Sequence, residues 1–264
     1  MSGATSLTTA LIGATGFVGS TLLQQRGFDR LYRSTDIEAI RGQEFSLVVC
    51  AGAPGHKWLA NRDPAADHAR LAALTGPLSS VRCEQFVLIS TVDVFADPRG
   101  VDEESIISEW ALEPYGMHRW QLEQFVRETF PDSLIVRLPG LVGPGLRKNA
   151  LYDLHNQHRL TALDSRSIYQ FYPTAGLWRD IQRALECGLQ TVHLTAEPVS
   201  LGEIAQRCFG HTFTQTGAMR PAEYDLQSLH AARFGARGRY QYSARESLDA
   251  IRAYARSEPR RRDG

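Results

Sequence analysis

The sequence has no excess of charge of either sign and no long apolar run. Its 264 residues include 29 Lys and Arg and 29 Asp and Glu, which gives a formal net charge of zero. Nucleic-acid-binding proteins normally carry a basic excess on one face, so we expect no nucleic-acid partner. A membrane-spanning helix needs roughly 18 consecutive apolar residues. No segment reaches that length, so we also expect no insertion into a membrane.

The sequence has little that would indicate export, disulfides or metal binding. Residues 1–9 lack the basic segment with which a signal peptide begins, and the four cysteines include no Cys-x-x-Cys pair. His155 and His158 lie three positions apart on a predicted helix, but no third ligand follows at a spacing typical of metal sites. We therefore expect a cytoplasmic protein with reduced thiols and no metal.

Short apolar runs alternate with helical patterns through the first half of the chain. The runs are rich in Val, Ile, Leu and Phe and lie at 7–12, 45–50, 86–90 and 134–138. Runs that are apolar on both faces are typical of the buried strands of a parallel sheet. Helical periodicity occurs between them, at 64–74 and 115–130. The alternation predicts a Rossmann-type, doubly wound α/β domain over residues 1–145, and the glycines at 13, 16 and 19 predict that it binds a dinucleotide.

Beyond Gly145 the pattern loosens into a mixture of short elements. The predicted elements are helices at 146–160, 175–186 and 200–210 and strands at 169–172 and 191–194. Ser200 begins a capping-box pattern, and Gly210 suits the end of that helix. We predict a small mixed α/β C-terminal cap that binds substrate over 146–255, with some elements returning to the main sheet, and a frayed tail at 256–264.

The first predicted strand is followed by a glycine pattern that suits a dinucleotide. Gly13, Gly16 and Gly19 are spaced Gly-x-x-Gly-x-x-Gly between a strand and a helix. In such a loop the first glycine allows a tight turn, the second lets the backbone approach a pyrophosphate, and the third lets the helix pack on the strand. The N–H groups that begin the helix then face the phosphates. The expected cofactor contacts in this loop are Gly13, Thr15, Gly16, Phe17, Val18 and Gly19.

The loop resembles the cofactor loop of the extended short-chain dehydrogenase/reductases, the NAD(P)-dependent epimerase/dehydratase family. Segments that resemble further family motifs follow in the family's order: 50–53 (Cys-Ala-Gly-Ala), 90–95 (Ser-Thr-Val-Asp-Val-Phe), 115–119 (Tyr-Gly-Met-His-Arg) and 137–144 (Arg-Leu-Pro-Gly-Leu-Val-Gly-Pro). The agreement is strong from about residue 7 to residue 145 and weaker to about residue 255. The resemblance implies a dinucleotide that also contacts Cys50, Ala51, Gly52, Ala53, Ser90 and Pro139.

The residues after the second predicted strand, 28–33, bear on the choice of dinucleotide. An acidic residue about 20 positions after the first glycine binds the ribose 2′-hydroxyl of NAD, whereas an arginine there accommodates the 2′-phosphate of NADP. Asp36 suits the first role, but Arg33 and Ser34 lie at the tip of the strand and suit a phosphate dianion. In the family an Asp-Ile pair often lies against the adenine, and Asp36 and Ile37 fit that place. We predict NADP, with NAD still open.

The resemblance implies catalytic roles for Tyr115, Arg119 and Thr91. In the family the tyrosine of a Tyr-x-x-x-Lys motif exchanges a proton with a substrate carbonyl or alcohol, and the lysine stabilises the phenolate and binds the nicotinamide ribose. Free tyrosine has a pKa of about 10, so a nearby positive charge is required. Tyr115 and Arg119 occupy these two places, and on a helix they share one face. Thr91 would hold the substrate oxygen beside Tyr115.

Arginine in the lysine position is a departure from the family. Arg119 keeps the positive charge, but a guanidinium is planar, longer and restricted to a fork geometry, so the exchange is not conservative. Arg119 could stabilise the phenolate and bind the ribose, or it could displace the cofactor and leave a protein without turnover. Three hypotheses stay open: an epimerase or oxidoreductase, a dinucleotide-binding sensor or scaffold, and a simple NADPH-dependent carbonyl reductase.

Two further departures concern the substrate. Sugar-nucleotide 4,6-dehydratases carry an Asp-Glu pair after the catalytic threonine, whereas this chain has a valine and Asp93, which argues against that activity. Family epimerases usually hold the substrate diphosphate with an asparagine where this chain has Gly140. Asp93 is a candidate acid or base, or a carboxylate that stabilises a turn. The candidates for binding an anionic substrate group are Arg147, Lys148 and Asn149, with a solvated basic loop as the alternative.

Together, the motifs favour an NAD(P)-dependent epimerase or oxidoreductase that transfers a hydride at a hydroxyl or carbonyl carbon. The expected substrate is a small polar molecule, a sugar or sugar nucleotide. Family members often dimerise through a four-helix interface that includes the tyrosine helix. The resemblance therefore leaves open a homodimer through Trp120 and Gln124.

Overall fold

The computed structural model describes residues 8–217 and 220–260. Residue 7, which the sequence predicts in the first strand, and residues 261–264 of the predicted tail lie outside these ranges. The described residues form twelve β-strands and eight α-helices. The strands are β1 (Thr8–Ile12), β2 (Arg30–Tyr32), β3 (Glu44–Cys50), β4 (Arg82–Thr91), β5 (Arg99–Val101), β6 (Ser133–Leu138), β7 (Gly140–Val142), β8 (Ile168–Tyr169), β9 (Phe171–Pro173), β10 (Thr191–His193), β11 (Val199–Ser200) and β12 (Asp225–Leu226). The helices are α1 (Phe17–Gln25), α2 (Lys57–Arg62), α3 (Pro64–Leu78), α4 (Pro114–Thr129), α5 (Ala150–Asn156), α6 (Leu177–Glu186), α7 (Leu201–Phe209) and α8 (Ala244–Ser257).

Six strands form one sheet in the order β10-β6-β4-β3-β1-β2. The pairs β1–β2, β1–β3 and β3–β4 are parallel. After β2 the chain crosses back past β1 and adds β3 on its other side, so the strand order reverses at β1. Such a reversal leaves a crevice at the carboxyl ends of the two strands, where ligands of open α/β sheets bind. The predicted Rossmann-type fold is confirmed, and the ends of β1 and β3 lie side by side.

Proline begins the two helices that later carry the candidate site. Pro64 and Pro114 are first residues of α3 and α4, where the missing N–H costs nothing because the first helical N–H groups have no partner within the helix. The carboxylate of Asp63 caps α3 by accepting a hydrogen bond from the Ala66 N–H at 3.1 Å. Both helices therefore begin near the positions predicted from the sequence, and α3 continues four residues further, to Leu78.

The hydrophobic core of the sheet combines β-strand side chains with one face of α4. Phe86 of β4 is fully buried and stacks on Phe130, with ring centroids 4.2 Å apart and the ring planes 13° from parallel. Leu122 and Val126 of α4 belong to the same cluster. The helical stripe predicted over 115–130 thus faces the sheet, which fixes the rotation of α4 about its axis.

The chain divides into two compact units. Of the described residues, the first unit contains those up to Ala96, Ile106–Arg137 and Ala184–Val192, and the second contains Asp97–Ser105, Leu138–Arg183 and those from His193 onward. The six-stranded sheet belongs to the first unit, apart from the last residues of β6 and β10. The assignments of 1–145 to cofactor binding and of 146–255 to a cap stay predictions.

The second unit contains three two-stranded pairs, of which β8–β11 is antiparallel and β5–β12 and β7–β9 are parallel. The single strand predicted over 169–172 is wrong, because Tyr169 pairs in one of these sheets and Phe171 in another. Between them, Gln170 is buried and its side-chain amide bonds the backbone of two other segments. The helix predicted over 146–160 is shorter, Ala150–Asn156. Of the helices described, none combines the length and the apolar character that crossing a membrane requires.

We expect Phe86→Ala to lower the free energy of unfolding by about 3–5 kcal/mol, because it removes a fully buried ring and its stacking partner cannot fill the cavity. Ile106→Ala is the matched control, since Ile106 is 93% exposed and should change stability by less than about 0.5 kcal/mol. Urea denaturation followed by circular dichroism measures both. Equal losses in the two variants would contradict this account of the core.

Candidate cofactor and catalytic site

The loop after β1 has the close packing that its glycine spacing predicts. Gly13 has a φ of +83°, and its N–H donates to the Tyr32 carbonyl at 2.8 Å. A Cβ on Gly13 would lie 2.4 Å from the Ala51 carbonyl oxygen, and one on Gly19 would lie 2.1 Å from the Gly13 carbonyl oxygen. Neither position has room for a side chain. The first turn of α1 therefore packs directly on the loop that follows β1.

The amino end of α1 fits the phosphates of a dinucleotide. Gly16 is the N-cap residue and has no side chain, so no side-chain cap is bonded to the first N–H groups of the helix. Thr15 and Gly16 are exposed, while Phe17 and Val18 are half-buried. Uncapped N–H groups and the positive end of the helix dipole together favour a bound anion. The residues of this loop therefore suit a pyrophosphate.

The residues proposed to select the dinucleotide follow β2 directly. Arg33, Ser34 and Asp36 are exposed, whereas Ile37 is buried in the core of the sheet. The Asp36 carboxylate accepts a hydrogen bond from the Arg33 N–H at 2.5 Å and so closes the turn. The hydroxyl of Ser34 and the guanidinium of Arg33 stand on that turn. This arrangement suits a 2′-phosphate better than a ribose 2′-hydroxyl.

The turn after β3 is joined to the end of β1. The Ala51 N–H donates to the Ile12 carbonyl at 2.9 Å, and a Cβ on Gly52 would lie 3.0 Å from the Ile12 side chain. Cys50 is fully buried, and this burial raises the pKa of its thiol to about 11, so the thiol is unreactive at neutral pH. Ala53 is partly buried against the core. Cys50, Ala51, Gly52 and Ala53 thus form a tight, apolar turn beside the glycine loop.

Ser90 belongs to a buried polar network that the sequence analysis missed. Its hydroxyl donates to Glu123 at 2.5 Å, and the same carboxylate receives the guanidinium of Arg137 at 2.7 Å. Glu123 is fully buried and Arg137 is 3% exposed. Glu123 lies four residues after Arg119, on the face of α4 that packs on the sheet. A charged residue on this otherwise buried helix face is the sequence signal that could have indicated a buried ion pair. The network holds α4 against β4 and β6, and the cofactor contact of Ser90 stays a prediction.

Tyr115 is brought to the end of β4, next to Thr91 and Asp93. A Cβ on Gly116 would lie 2.1 Å from the Asp93 carbonyl oxygen, so the glycine lets α4 begin directly on this turn. The Thr91 hydroxyl accepts the Asp93 N–H at 3.2 Å and lies 3.4 Å from the Asp93 carboxylate, to which it donates. Asp93 also pairs with the ammonium of Lys57, at 2.7 Å. These four side chains form a cluster in the first unit.

The environment of Tyr115 keeps its phenol protonated at neutral pH. Tyr115 is 8% exposed, and burial raises its pKa, as does the negative charge of Asp93. The charges of Arg119 and Lys57 and a hydrogen bond with the Thr91 side chain lower the pKa of Tyr115, but the net effect is a raised value. The hydroxyl is therefore poised to donate a proton rather than to remove one.

Arg119 shares a helix face with Tyr115, as predicted, but its guanidinium is held in a buried ion pair. Both terminal nitrogens bond the carboxylate of Asp67, one of them at 2.9 Å, and Nη2 also donates to the Pro54 carbonyl at 2.5 Å. The guanidinium carbon lies 4.0 Å from the centre of the Tyr115 ring, over its face. His118 bonds the same carboxylate at 2.8 Å. The predicted contact of Arg119 with a ribose stays a prediction, and it would require this pair to open.

The remaining candidates lie in the second unit. Pro139 directly follows β6. Arg147 and Lys148 are exposed in the loop before α5. Asn149 caps that helix: its side-chain oxygen accepts the N–H of Leu151 at 2.9 Å and that of Tyr152 at 3.1 Å. Asn149 therefore has a structural role in its own unit, and the anion-binding roles of the three loop residues stay predictions.

The two histidines weighed as metal ligands have other partners. His155 bonds the Glu258 carbonyl at 2.9 Å, and His158 bonds the Asp153 carboxylate at 2.9 Å. Within residues 8–217 and 220–260, no group of three or more His, Cys, Asp or Glu side chains is arranged to hold a metal.

Several solved structures share the fold of this chain. A dTDP-4-dehydrorhamnose reductase from Bacillus anthracis, in complex with NADP, is 18% identical with a TM-score of 0.71, over 97% of this chain and 100% of that one. The Yersinia enterocolitica reductase of the same name is 15% identical, with a TM-score of 0.70 over 94% and 98%. A UDP-glucuronic acid 4-epimerase from Bacillus cereus, in complex with NAD, is 17% identical, with a TM-score of 0.69 over 94% and 98%.

The chain has the fold of these reductases and of this epimerase. The resemblance found in the sequence motifs is thus confirmed for the fold, over nearly the whole length of both chains. No protein-family model matches the sequence, and no curated protein matches it. The similarity concerns the fold, and the activity has to be argued from the residues of this chain.

We expect Gly13→Ala to lower the free energy of unfolding by at least about 2 kcal/mol, because the new Cβ meets the Ala51 carbonyl and the backbone is left-handed. Gly27→Ala is the matched control: nothing lies within 4 Å of its Cβ position, so its stability should be close to that of the parent. Chemical denaturation distinguishes the two. A neutral Gly13→Ala variant would mean that the loop is not packed as described.

We expect Asp67→Asn to lower the free energy of unfolding by about 3–5 kcal/mol, because it leaves the buried Arg119 without a counter-charge. The double variant Asp67→Asn with Arg119→Met should recover much of that loss, because it removes both charges. Burial acts to raise the pKa of Asp67, but hydrogen bonds from Arg119 and His118 outweigh it and hold the pKa below its usual range. The stabilisation is therefore present above the unfolded pKa of about 3.9 and is lost as the pH falls through the folded value. Acid unfolding should be less steep in the double variant, and an equally steep transition would contradict this.

Proposed function

We propose that the protein is an NAD(P)-dependent oxidoreductase or epimerase that acts on a hydroxyl or carbonyl carbon of a small polar substrate, a sugar or sugar nucleotide. The observation that carries the proposal is the cluster at the end of β4, where Gly116 lets the buried Tyr115 begin α4 directly on the turn of Thr91 and Asp93. The glycine loop of the same unit supplies the cofactor site. Family membership, the cofactor and the enzyme class are proposed together, because the same motifs support all three.

The residues present suit the dinucleotide. The uncapped start of α1 would take the pyrophosphate, the turn after β3 would lie beside the ribose, and Arg33 with Ser34 would take a 2′-phosphate. We therefore propose NADP, with NAD as the alternative. Solved neighbours of this fold contain either NADP or NAD. When bound, the nicotinamide supplies or accepts a hydride.

The chain's own part in the reaction is the handling of a proton. Thr91 and Tyr115 would both bond the carbonyl oxygen of the substrate, and Tyr115 would donate its phenolic proton to that oxygen as the carbon is reduced. Burial and the charge of Asp93 raise the pKa of Tyr115, so its phenol carries the proton that this step needs at neutral pH. Where the 4,6-dehydratases have an Asp-Glu pair this chain has Val92 and Asp93, so we propose transfer at one carbon rather than elimination.

Sugar nucleotides are the proposed substrates because they are what the solved neighbours of this fold are named for. These include a structure with UDP-glucuronic acid and NAD bound, at 16% identity and a TM-score of 0.72. The candidates for the anionic end of such a substrate are Arg147 and Lys148, which are exposed. A homodimer also stays a prediction.

A dinucleotide-binding sensor without turnover is the second candidate, and the state of Arg119 favours it. The guanidinium of Arg119 is bonded to Asp67 and Pro54, and it would have to leave these partners to take the role of the family's lysine toward a ribose. Such a protein would keep the glycine loop and bind cofactor, and its tyrosine would have no catalytic effect.

Calorimetry with NADP and NAD, followed by turnover assays on dTDP-4-keto and UDP sugars, tests the proposal. We expect micromolar or tighter binding of NADP, and we expect Tyr115→Phe to keep that affinity while turnover falls about 10²–10⁴-fold. Tyr152→Phe, in the second unit, is the control and should keep full turnover. Failure to bind either dinucleotide would overturn both candidates. Tight binding without turnover, unchanged by Tyr115→Phe, would favour the sensor.

We expect Arg33→Ala to weaken NADP binding about tenfold or more and to leave NAD binding almost unchanged, because the guanidinium is proposed to contact only the 2′-phosphate. Arg30→Ala is the matched control, since Arg30 is also exposed but lies three residues earlier, in the strand β2 that precedes the turn. Calorimetric titration of both variants with both dinucleotides decides the point. A parallel loss of NAD and NADP affinity in Arg33→Ala would contradict the assignment.

A further inference from the structure

The candidate site contains a second cation that the family motif does not assign, Lys57. Proton donation by Tyr115 leaves a phenolate in a buried setting, and the adjacent Asp93 opposes that negative charge. A cation must therefore compensate the phenolate while it exists. Two cations act on the phenol: Arg119, in the position of the family's lysine, and Lys57.

Arg119 is poorly placed to follow a phenolate. Its side chain is 3% exposed, its two terminal nitrogens are bonded to Asp67 and Pro54, and its charge is balanced by Asp67 at close range. The guanidinium lies over the face of the Tyr115 ring, not in line with the hydroxyl bond. Turning it toward the phenol would leave the Asp67 carboxylate buried with only His118 as a partner, which is costly.

The placement of Lys57 follows from the way α2 is fixed to the start of α4. The Asn61 side chain accepts the Tyr115 N–H at 2.9 Å and also donates to the Glu113 carboxylate. Lys57 lies four residues before Asn61, so the two share a face of α2, and that face is turned toward the amino end of α4. The hydrogen bonds of Asn61 therefore hold α2 so that Lys57 lies on the side of the helix that faces Tyr115.

Polar contacts lead from Lys57 toward the residues beside the phenol. The Lys57 ammonium lies 2.7 Å from one carboxylate oxygen of Asp93, and the other oxygen lies 3.4 Å from the Thr91 hydroxyl. The Lys57 charge and the Thr91 side chain both act to lower the pKa of Tyr115. The Lys57 side chain is 45% exposed and that of Asp93 is 17% exposed. A flexible ammonium at a half-exposed position can shift between partners, which the buried guanidinium of Arg119 cannot do without unpairing Asp67.

We propose that Lys57, rather than Arg119, is the cationic side chain that compensates the Tyr115 phenolate during proton exchange, with Asp93 holding its ammonium while the phenol is protonated. This rests on the proposed function. The Tyr115 hydroxyl would give its proton to the substrate carbonyl oxygen, and a bound reduced dinucleotide would supply the hydride that reduces the carbon. The phenolate then regains a proton from solvent, and Lys57 returns to Asp93.

Three charged groups face the phenol from the elements packed around it. Asp93 comes from the turn after β4, Lys57 from α2 and Arg119 from α4. Asp67 of α3 reaches the phenol only through Arg119. Each of the three has a distinct expected effect on the acidity of the phenol, so their roles can be separated by measurement without knowing the substrate.

The test measures the acidity of the phenol at position 115 directly. Tyr115 is replaced by 3,5-difluorotyrosine, whose more acidic phenol titrates below the other tyrosines, and its absorbance is followed against pH in the full chain. We expect Lys57→Met to make this phenol about tenfold less acidic, a rise of about one pKa unit, and Lys57→Arg to restore it. Arg62→Met removes a charge from the same helix and should have no effect. Asp93→Asn should make the phenol more acidic.

A Lys57→Met variant that titrates like the parent, or an equal shift in Arg62→Met, would overturn the proposal. The double variant Asp67→Asn with Arg119→Met leaves the net charge unchanged. If it raised the pKa of the phenol as much as Lys57→Met does, the proposal would also be overturned, because the compensating cation would then be Arg119. Calorimetry with NADP on the same proteins separates this failure from that of the proposed function. If the unsubstituted protein binds no dinucleotide, the proposed function is wrong. If it binds the dinucleotide but Lys57→Met does not change the pKa of the phenol, only the role of Lys57 is wrong.

Discussion

The ion pair between Arg119 and Asp67 connects the parts of the first unit on which the candidate site depends. A guanidinium that is 3% exposed needs a counter-charge and hydrogen bonds, because burial penalises an unpaired charge heavily. Asp67 supplies both from α3, and the Pro54 carbonyl supplies a further acceptor from the turn after β3. The pair thereby fixes α3, α4 and the turn after β3 relative to one another. The pair also neutralises the positive charge of Arg119, which stands where the family motif has the lysine that stabilises the tyrosine phenolate.

The sheet imposes the second constraint, because the strand order reverses at β1. The carboxyl ends of β1, β3 and β4 then lie in sequence along one edge of the sheet, and each carries a part of the site: the glycine loop, the Ala-Gly turn and Thr91. Tyr115 reaches the same edge because Gly116 allows α4 to begin against the Asp93 backbone. The glycine loop and Tyr115 therefore belong to one compact unit, as the proposed hydride transfer assisted by a proton requires.

Most of this fold could be predicted from the sequence, because the relevant signals are local. Apolar runs of about five residues predict the buried strands, and Gly13 and Gly19 stand where the backbone itself leaves no space for a Cβ. The second unit was predicted less well: the aromatic run at 169–172 contains no local sign that Tyr169 and Phe171 pair with different strands. Pairing in short, irregular sheets depends on partners distant in the chain.

The candidate site was predicted in its residues but not in its electrostatics. Tyr115, Thr91 and Arg119 were identified from motifs, yet the partner of Arg119 lies 52 positions earlier, and nothing in the spacing connects the two. The same holds for Ser90, Glu123 and Arg137, and for Lys57 with Asp93. Ion pairs between different elements depend on tertiary packing. A motif therefore predicts which charged residue is present, but not which side chain it pairs with.

A crystal structure of the protein with NADP bound tests the central claim most directly. The account predicts that the pyrophosphate lies on the N–H groups that begin α1 and that both terminal nitrogens of Arg119 stay on Asp67 and Pro54. The contradicting result is an Arg119 guanidinium that has left Asp67 and bonds the nicotinamide ribose, because Arg119 would then perform the lysine's role and Lys57 would not be needed.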